Sequence, residues 1–445
     1  MVRRTGRHVA GVTLLVALLG GCHDTPITNP SGEAPAAAAA LVAQDGSIPG
    51  HYIVVADWSA DAARLAADYG LAPRHVYVHL LNGFAAAIPD LTLARLSADP
   101  RVVRVSVQRQ VTKVAATTEP AASWGLDRID QRDRPVDGLY TYDRTGAGVS
   151  AYIIDTGVRY THVEFGGRAV FGFDAFAADP ADALLYDGSG DCDGHGTHVA
   201  GTVGGRTYGV AKQVRIVGVR VLNCAGYGSD ADVIAGMDWV AGNATLPAVA
   251  NMSLGDVIPT KTMGTSGEID GAVRALVASG VSLAVAAGNG WGNGTVGADA
   301  CMFPIANVAE AITVGATGTA DGYTQWTNFG ACVDVFAPGS AIISSTADSD
   351  VATGSKSGTS MATPHVAGVA ALVLAQAPGA TPAQVRDIIV AGATQGIVTT
   401  HSLNSTPSPN NHLLYSRVTA PKELRGKGPK DPKPCTPRRQ RAGEC

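Results

Sequence analysis

The 445-residue chain carries 33 Lys and Arg against 38 Asp and Glu, a formal net charge of -5. A balance so close to neutral gives no electrostatic footprint for nucleic acid, and the length exceeds one ordinary domain while leaving room for a large core. The 54 glycines point to a tightly turned α/β protein with close helix-to-sheet contacts, not to a disordered or fibrous chain.

Arg3, Arg4 and Arg7 precede an apolar run from Val9 to Leu19. That run is too short for an ordinary membrane span and reads as an export signal over residues 1–22. It ends in Leu19-Gly20-Gly21-Cys22, which resembles the lipobox of bacterial lipoproteins, where the Cys is acylated and becomes the new N-terminus. An ordinary signal peptide ending in small residues is the alternative. Seven cysteines is an odd number; setting Cys22 aside leaves six that can pair in an oxidising compartment. Residues 23–49, rich in Ala, Pro, Ser, Gly and Thr and without periodicity, read as a flexible linker.

Residues 50–113 then give a compact series: strand His51–Ala56, helix Ala60–Tyr69, strand His75–Leu80, an Asn82-Gly83 turn, strand Phe84–Ile88, helix Leu91–Ala98 and strand Val102–Val107. The order β-α-β-β-α-β predicts a small α+β ferredoxin-like plait. After an extended link over 114–123, residues 124–416 alternate strand and helix. Val149–Ile154, Val214–Leu222, Ala248–Leu254, Val281–Ala287, Ala311–Ala316 and Val333–Phe336 are nearly continuous apolar runs, as in a parallel sheet covered on both faces. Amphipathic stretches at Ala231–Ala241 and Glu268–Ala278 supply crossover helices, and Thr381-Pro382-Ala383-Gln384 is a capping-box helix start. The expected architecture is a three-layer α/β domain with a mainly parallel sheet. Residues 417–445, basic and rich in Pro and Gly, read as a solvated tail.

Three glycine-framed segments carry reactive side chains: Asp155-Thr156-Gly157; Gly194-His195-Gly196-Thr197-His198-Val199-Ala200-Gly201; and Gly358-Thr359-Ser360-Met361-Ala362-Thr363-Pro364-His365. An alcohol that attacks a peptide carbonyl needs a base for its proton, and the base needs a carboxylate to hold its tautomer. Ser360, His195 and Asp155 are those types, in the chain order Asp, His, Ser found in subtilisin. The Gly-x-Ser-x-Gly elbow of other serine hydrolases is absent around Ser360. Ser360 opens an apolar helix, which suits its backbone N-H to an oxyanion, and Asn289 in Ala286-Ala287-Gly288-Asn289 is the candidate second donor. His198 and His365 are read as packed structural histidines.

These segments resemble the signatures of the subtilisin family, and within it the proteinase K branch with its bacterial aqualysin-like enzymes. The resemblance covers most of residues 50–416. It implies an exported serine endopeptidase of broad specificity, with protein and peptide substrates and a monomeric catalytic domain. The plait would be an inhibitory propeptide, removed by self-cleavage near Ala115–Thr118. Substrate would add as a strand between Gly226-Tyr227-Gly228 and Ser253-Leu254-Gly255, where small residues should admit another backbone. Asp256-Val257 and the long Gly290–Ala300 segment with Trp291 depart from the family pattern near the specificity pocket. The family also implies disulfides Cys192 with Cys224 and Cys301 with Cys332, which leaves Cys435 and Cys445 for a third. No paired Cys-x-x-Cys spacing favours zinc. Structural calcium is implied at Asp334 with the carbonyls of Ala309 and Ala311. A second calcium site would use Asp127, Asp130, Gln131 and Asp137, with Leu139 where relatives carry a ligand.

Overall fold

A computed structural model describes residues 47–113, 123–179, 182, 188–256, 267–290, 296–400 and 408–425. The first unit runs β1 (Ser47–Ala56), α1 (Ala62–Asp68), β2 (His75–Tyr77), β3 (Gly83–Ala87), α2 (Asp90–Ser97) and β4 (Val102–Lys113). Its strands pair antiparallel in the spatial order β4-β1-β3-β2, a ferredoxin-like plait. Successive side chains of a strand point to opposite faces, so this one sheet serves two cores. Val54, Phe84 and Ala86 pack on Leu65, Ala66 and Leu96 of α1 and α2. Ile53, Tyr77 and Ala85 join a core that belongs mainly to the second unit.

That second unit continues with α3 (Trp124–Ile129), β5 (Ser150–Asp155), β6 (Ala169–Asp174), α4 (His195–Gly204), β7 (Arg215–Arg220), β8 (Tyr227–Ser229), α5 (Asp230–Asn243), β9 (Ala248–Met252), β10 (Leu254–Asp256), α6 (Gly267–Ala278), β11 (Ser282–Ala286), β12 (Ile312–Thr317) and β13 (Val335–Pro338). A hairpin of β14 (Ile342–Ser345) and β15 (Thr353–Lys356) leads to α7 (Thr359–Gln376), α8 (Pro382–Gly392), β16 (Thr394–Gln395) and β17 (His412–Leu413). Nine strands form one sheet in the order β16-β17-β13-β12-β11-β9-β5-β7-β6. Every pair in it is parallel except β16 with β17. Ile153, Val249, Ala284 and Val314 face α4, α7 and α8, while Ile154, Ala250 and Val285 face α5 and α6. Coverage of both faces is why these strands read as continuous apolar runs.

Where boundaries differ from the sequence reading, a specific contact explains the difference. The first helix starts at Ala62 because the Asp61 side chain accepts the Arg64 N-H at 3.0 Å and caps it. The strand expected over His75–Leu80 stops at Tyr77: the N-H groups of His79 and Leu80 donate to Asp238 on α5 at 2.8 and 2.7 Å instead of to a neighbouring strand. The strand expected to end at Val107 runs on to Lys113 because its last residues pair with β8 and β10 of the second unit. For the same reason the run Ala248–Leu254 divides, with Leu254 leaving the main sheet in β10. β1 already begins at Ser47, which pairs with Arg109, so the linker ends before residue 49. The tail also starts later than expected: Val418 and Ala420 are buried in the core, and Arg425 donates to the Ala420 carbonyl at 2.7 Å.

Candidate active site

The Asp155, His195 and Ser360 side chains are all essentially buried, and each sits at or next to the end of an element. Asp155 is the last residue of β5, His195 the first of α4, and Ser360 the second of α7. Helices α4 and α7 pack on each other. Glycine makes the close approach of β5 and α4 feasible: a Cβ on Gly196 would lie 2.1 Å from the Gly157 carbonyl oxygen and 3.2 Å from the Asp155 Cβ.

The His195 Nδ1 lies 2.7 Å from Asp155 Oδ1, which also accepts the Thr156 N-H at 2.8 Å. A carboxylate can only accept, so Nδ1 carries a proton, and in the neutral ring Nε2 carries the lone pair. That Nε2 is buried with no hydrogen-bond partner among the described residues. The Ser360 hydroxyl donates to the Ser253 carbonyl at 3.1 Å, and the Ser253 hydroxyl, itself bonded by Asn251 Nδ2 at 2.9 Å, donates back to the Ser360 carbonyl at 2.9 Å. Asn289 Oδ1 accepts both the N-H and the hydroxyl of Thr359, at 3.0 and 2.9 Å. Two donors on one atom identify that atom as the oxygen, so the amide nitrogen of Asn289 is turned away from Thr359.

The other two histidines of these segments differ in kind. His198 donates from Nε2 to the carbonyls of Ile342 and Gly354 at 2.9 and 3.2 Å, and burial lowers its pKa to about 3. His365 donates from Nδ1 to the Met361 carbonyl at 2.8 Å, and burial lowers its pKa to about 4. Both rings are neutral when folded but protonate near 6.5 when unfolded. At these two rings the unfolded chain therefore binds more protons between about pH 4 and 6.5, so their contribution to stability is full above that window and falls as pH drops through it. Each ring should cost about 1.4 kcal/mol per pH unit. Urea midpoints taken between pH 7 and pH 5 should show this slope, and His365→Leu should flatten it; an unchanged slope in that variant would remove His365 from the account.

The two expected substrate segments bracket an extended strand. β4 lies between β8 and β10, antiparallel to both, with Val111 opposite Gly228, Thr112 opposite Tyr227 and Gly255, and Lys113 opposite Leu254. The reason for the glycines differs from the one expected. A Cβ on Gly228 would meet the Val221 carbonyl at 2.2 Å within its own unit, and one on Gly255 would meet nothing within 4 Å. Gly226 is there for its backbone, at φ +77°.

Residues 146–413 match the model of the subtilase family, peptidase S8. The chain belongs to the subtilase family. It is 48% identical over 361 residues to the alkaline serine exoprotease A of Vibrio alginolyticus, a match covering 80% of this chain and 62% of that protein. To the extracellular serine proteinase of Thermus sp. strain Rt41A it is 44% identical over 434 residues, covering 91% of this chain and 98% of that one. The crystal structure of a cold-adapted subtilisin-like serine proteinase aligns with a TM-score of 0.58 at 49% identity, covering 67% of this chain and 99% of that chain. This subtilase is a serine-type endopeptidase.

Among the described residues of the subtilase two disulfides form, Cys192–Cys224 and Cys301–Cys332. The first ties the loop before His195 to the loop before β8, and the buried Arg220 side chain lies 3.5 Å from both of its sulfurs while pairing with Asp174 and Asp182. Cys22, Cys435, Cys445, Val257 and Trp291 lie outside the described residues. The carboxylates expected to hold calcium have protein partners. Asp334 accepts the Thr313 N-H at 2.9 Å and pairs with Arg386; Ala311 is buried and Ala309 exposed. Asp127 accepts the N-H groups of Asp137 and Gly138 at 3.2 and 2.8 Å, Asp137 accepts that of Leu139 at 3.0 Å, and Gln131 donates to the carbonyls of Asp133 and Pro135. Asp130 accepts from Thr141 through one oxygen, while its other oxygen, Oδ1, is buried and unpartnered among the described residues. Among the described residues no group of three or more His, Cys, Asp or Glu is arranged to hold a metal.

Proposed function

We propose that the chain is an exported precursor whose second unit hydrolyses peptide bonds, with Ser360 as nucleophile, His195 as proton carrier, Asp155 as the group that orients His195, and Asn289 with the Ser360 N-H as oxyanion donors. The observation that carries this reading is the 2.7 Å bond between Asp155 and His195, which fixes the tautomer and leaves Nε2 open to a proton. The Ser360 hydroxyl turns from the Ser253 carbonyl to Nε2 and attacks the scissile carbonyl as its proton passes to His195. The negative oxygen is met by the Asn289 amide and the Ser360 N-H at the start of α7, the positive end of the helix dipole. His195 returns the proton to the departing amine, an acyl-enzyme remains on Ser360, and water, deprotonated by His195, releases it. A fluorophosphonate probe should label Ser360; a folded, processed protein that stays unlabelled would refute the assignment.

The first unit is read as an intramolecular inhibitor. β4 fills the substrate position by backbone pairing, a mode that recognises extended chain before sequence and supports broad specificity. Around it, Asp232 holds Arg74 and His75 at 3.0 and 2.9 Å, Asp230 accepts the Arg109 N-H at 2.6 Å, and Glu268 holds Arg104 and Ser106. Self-cleavage near Ala115–Thr118 falls outside the described residues. Acylation of Cys22 would leave the anchor on the first unit and free the second, so mature enzyme is expected in culture fluid rather than in detergent extracts. Among the described residues no helix is long and apolar enough to cross a membrane.

Calcium in the loop of Asp127, Asp130, Gln131 and Asp137 is supported by one atom, the buried Asp130 Oδ1 that has no partner among the described residues; Asp127 and Asp137 would have to release the N-H groups they hold in order to join it. At Asp334, with the carbonyls of Ala309 and Ala311, an ion would have to displace Arg386. In either place it would brace the fold and take no part in the chemistry. Chelation should lower the melting temperature of the wild type, and Asp130→Asn should reduce that drop; a melting temperature indifferent to chelator would overturn the calcium reading.

A further inference from the structure

We infer that Asp191 is a positioning residue for the proposed Asp155–His195 pair, acting through Thr156 and the first turn of α4. Its carboxylate is buried and all four of its acceptor positions are used. Oδ1 accepts the Thr156 hydroxyl and the Gly194 N-H, each at 2.8 Å; Oδ2 accepts the Thr197 N-H at 2.8 Å and the Thr197 hydroxyl at 2.6 Å. The Thr156 oxygen in turn accepts the Gly196 N-H at 2.8 Å, while the Thr156 backbone N-H holds Asp155 Oδ1.

These contacts account for the start of α4. Its N-cap residue, Gly194, has no side chain with which to cap. The N-H groups of Gly194, His195, Gly196 and Thr197 go instead to Asp191, Asp193, Thr156 and Asp191. One carboxylate therefore fixes the helix end that carries His195 and, through a single threonine hydroxyl, the strand end that carries Asp155. Asp191 touches neither ring nor substrate. Its effect is on how well Nδ1 stays aligned with Asp155, and therefore on the direction in which Nε2 points.

The inference rests on the reading of Asp155, His195 and Ser360 given above, and the test separates the two. Thr156→Val removes the bridging hydroxyl with little change of shape, and Asp191→Asn removes half of the acceptor capacity. The rate of fluorophosphonate labelling at Ser360 is expected to fall roughly 10- to 100-fold in both, as a small misalignment of reacting groups does. KM for a peptide substrate should stay within about twofold as kcat falls to the same degree. Thr156→Ser should recover most of the loss. Where Asp191→Asn stalls as a precursor or folds poorly, Thr156→Val and the downfield proton resonance of His195 Nδ1-H in the full chain still report the alignment. Wild type that fails to label would sink the site reading itself. Wild-type labelling with Thr156→Val labelling at the same rate and an unmoved proton resonance would overturn the role of Asp191 alone.

Discussion

A Ser360→Ala chain is expected to accumulate as unprocessed precursor and to hydrolyse casein about 10⁶-fold more slowly than the mature enzyme. That magnitude is the one established for subtilisin itself on loss of its serine or histidine. His195→Ala should be equally inactive, and the double variant no worse, because a nucleophile without its base and a base without its nucleophile each forfeit the same proton-transfer step. Gel mobility, N-terminal sequencing and an active-site titration decide the matter. Product of mature size from the Ser360→Ala chain, expressed in a host free of other proteases, would show that processing does not depend on this hydroxyl.

The second large effect is expected at Asn289. Removing the amide by Asn289→Ala should lower kcat 100- to 1000-fold, about 2.7–4 kcal/mol of transition-state stabilisation, with KM nearly unchanged; the figures are again those of the corresponding subtilisin asparagine. Because Asn289 Oδ1 also holds the N-H and hydroxyl of Thr359, the alanine variant loses two structural bonds as well. Asn289→Asp keeps acceptor oxygens for Thr359 and removes the donor, so it separates the two effects. Near-normal turnover in that variant would mean that the oxyanion is stabilised elsewhere.

Much of the architecture was legible because it follows from short-range patterns. The runs Val149–Ile154 and Val281–Ala287 announced doubly covered strands, and both bonds of the capping box expected at Thr381 and Gln384 form, at 3.3 and 3.0 Å. What escaped the sequence depends on partners distant in the chain. The extension of β4 to Lys113 exists because β8 and β10 accept it, and Tyr77 ends its strand because Asp238, 159 residues beyond His79, takes the next N-H groups.

The site was legible to a different degree. The three glycine-framed segments name the side chains proposed to react, and the structure places Asp155 against His195 and packs α4 on α7. Asp191 carries no signal of its own in the sequence, although it lies four residues before His195, because a buried acid with four donors looks there like any loop aspartate. The Arg386 partner of Asp334 was equally invisible, since 52 residues separate them.

The cross-unit ladder of β4 with β8 and β10 also bears on what would be left if the first unit departs as proposed. Two raw backbone margins then face one another across a slot one strand wide, each with amide groups in need of partners. Any unfolded stretch long enough to thread the slot would satisfy both, including frayed segments of sister molecules, so an enzyme liberated in that way would survive in company only as far as its own loops resist being threaded.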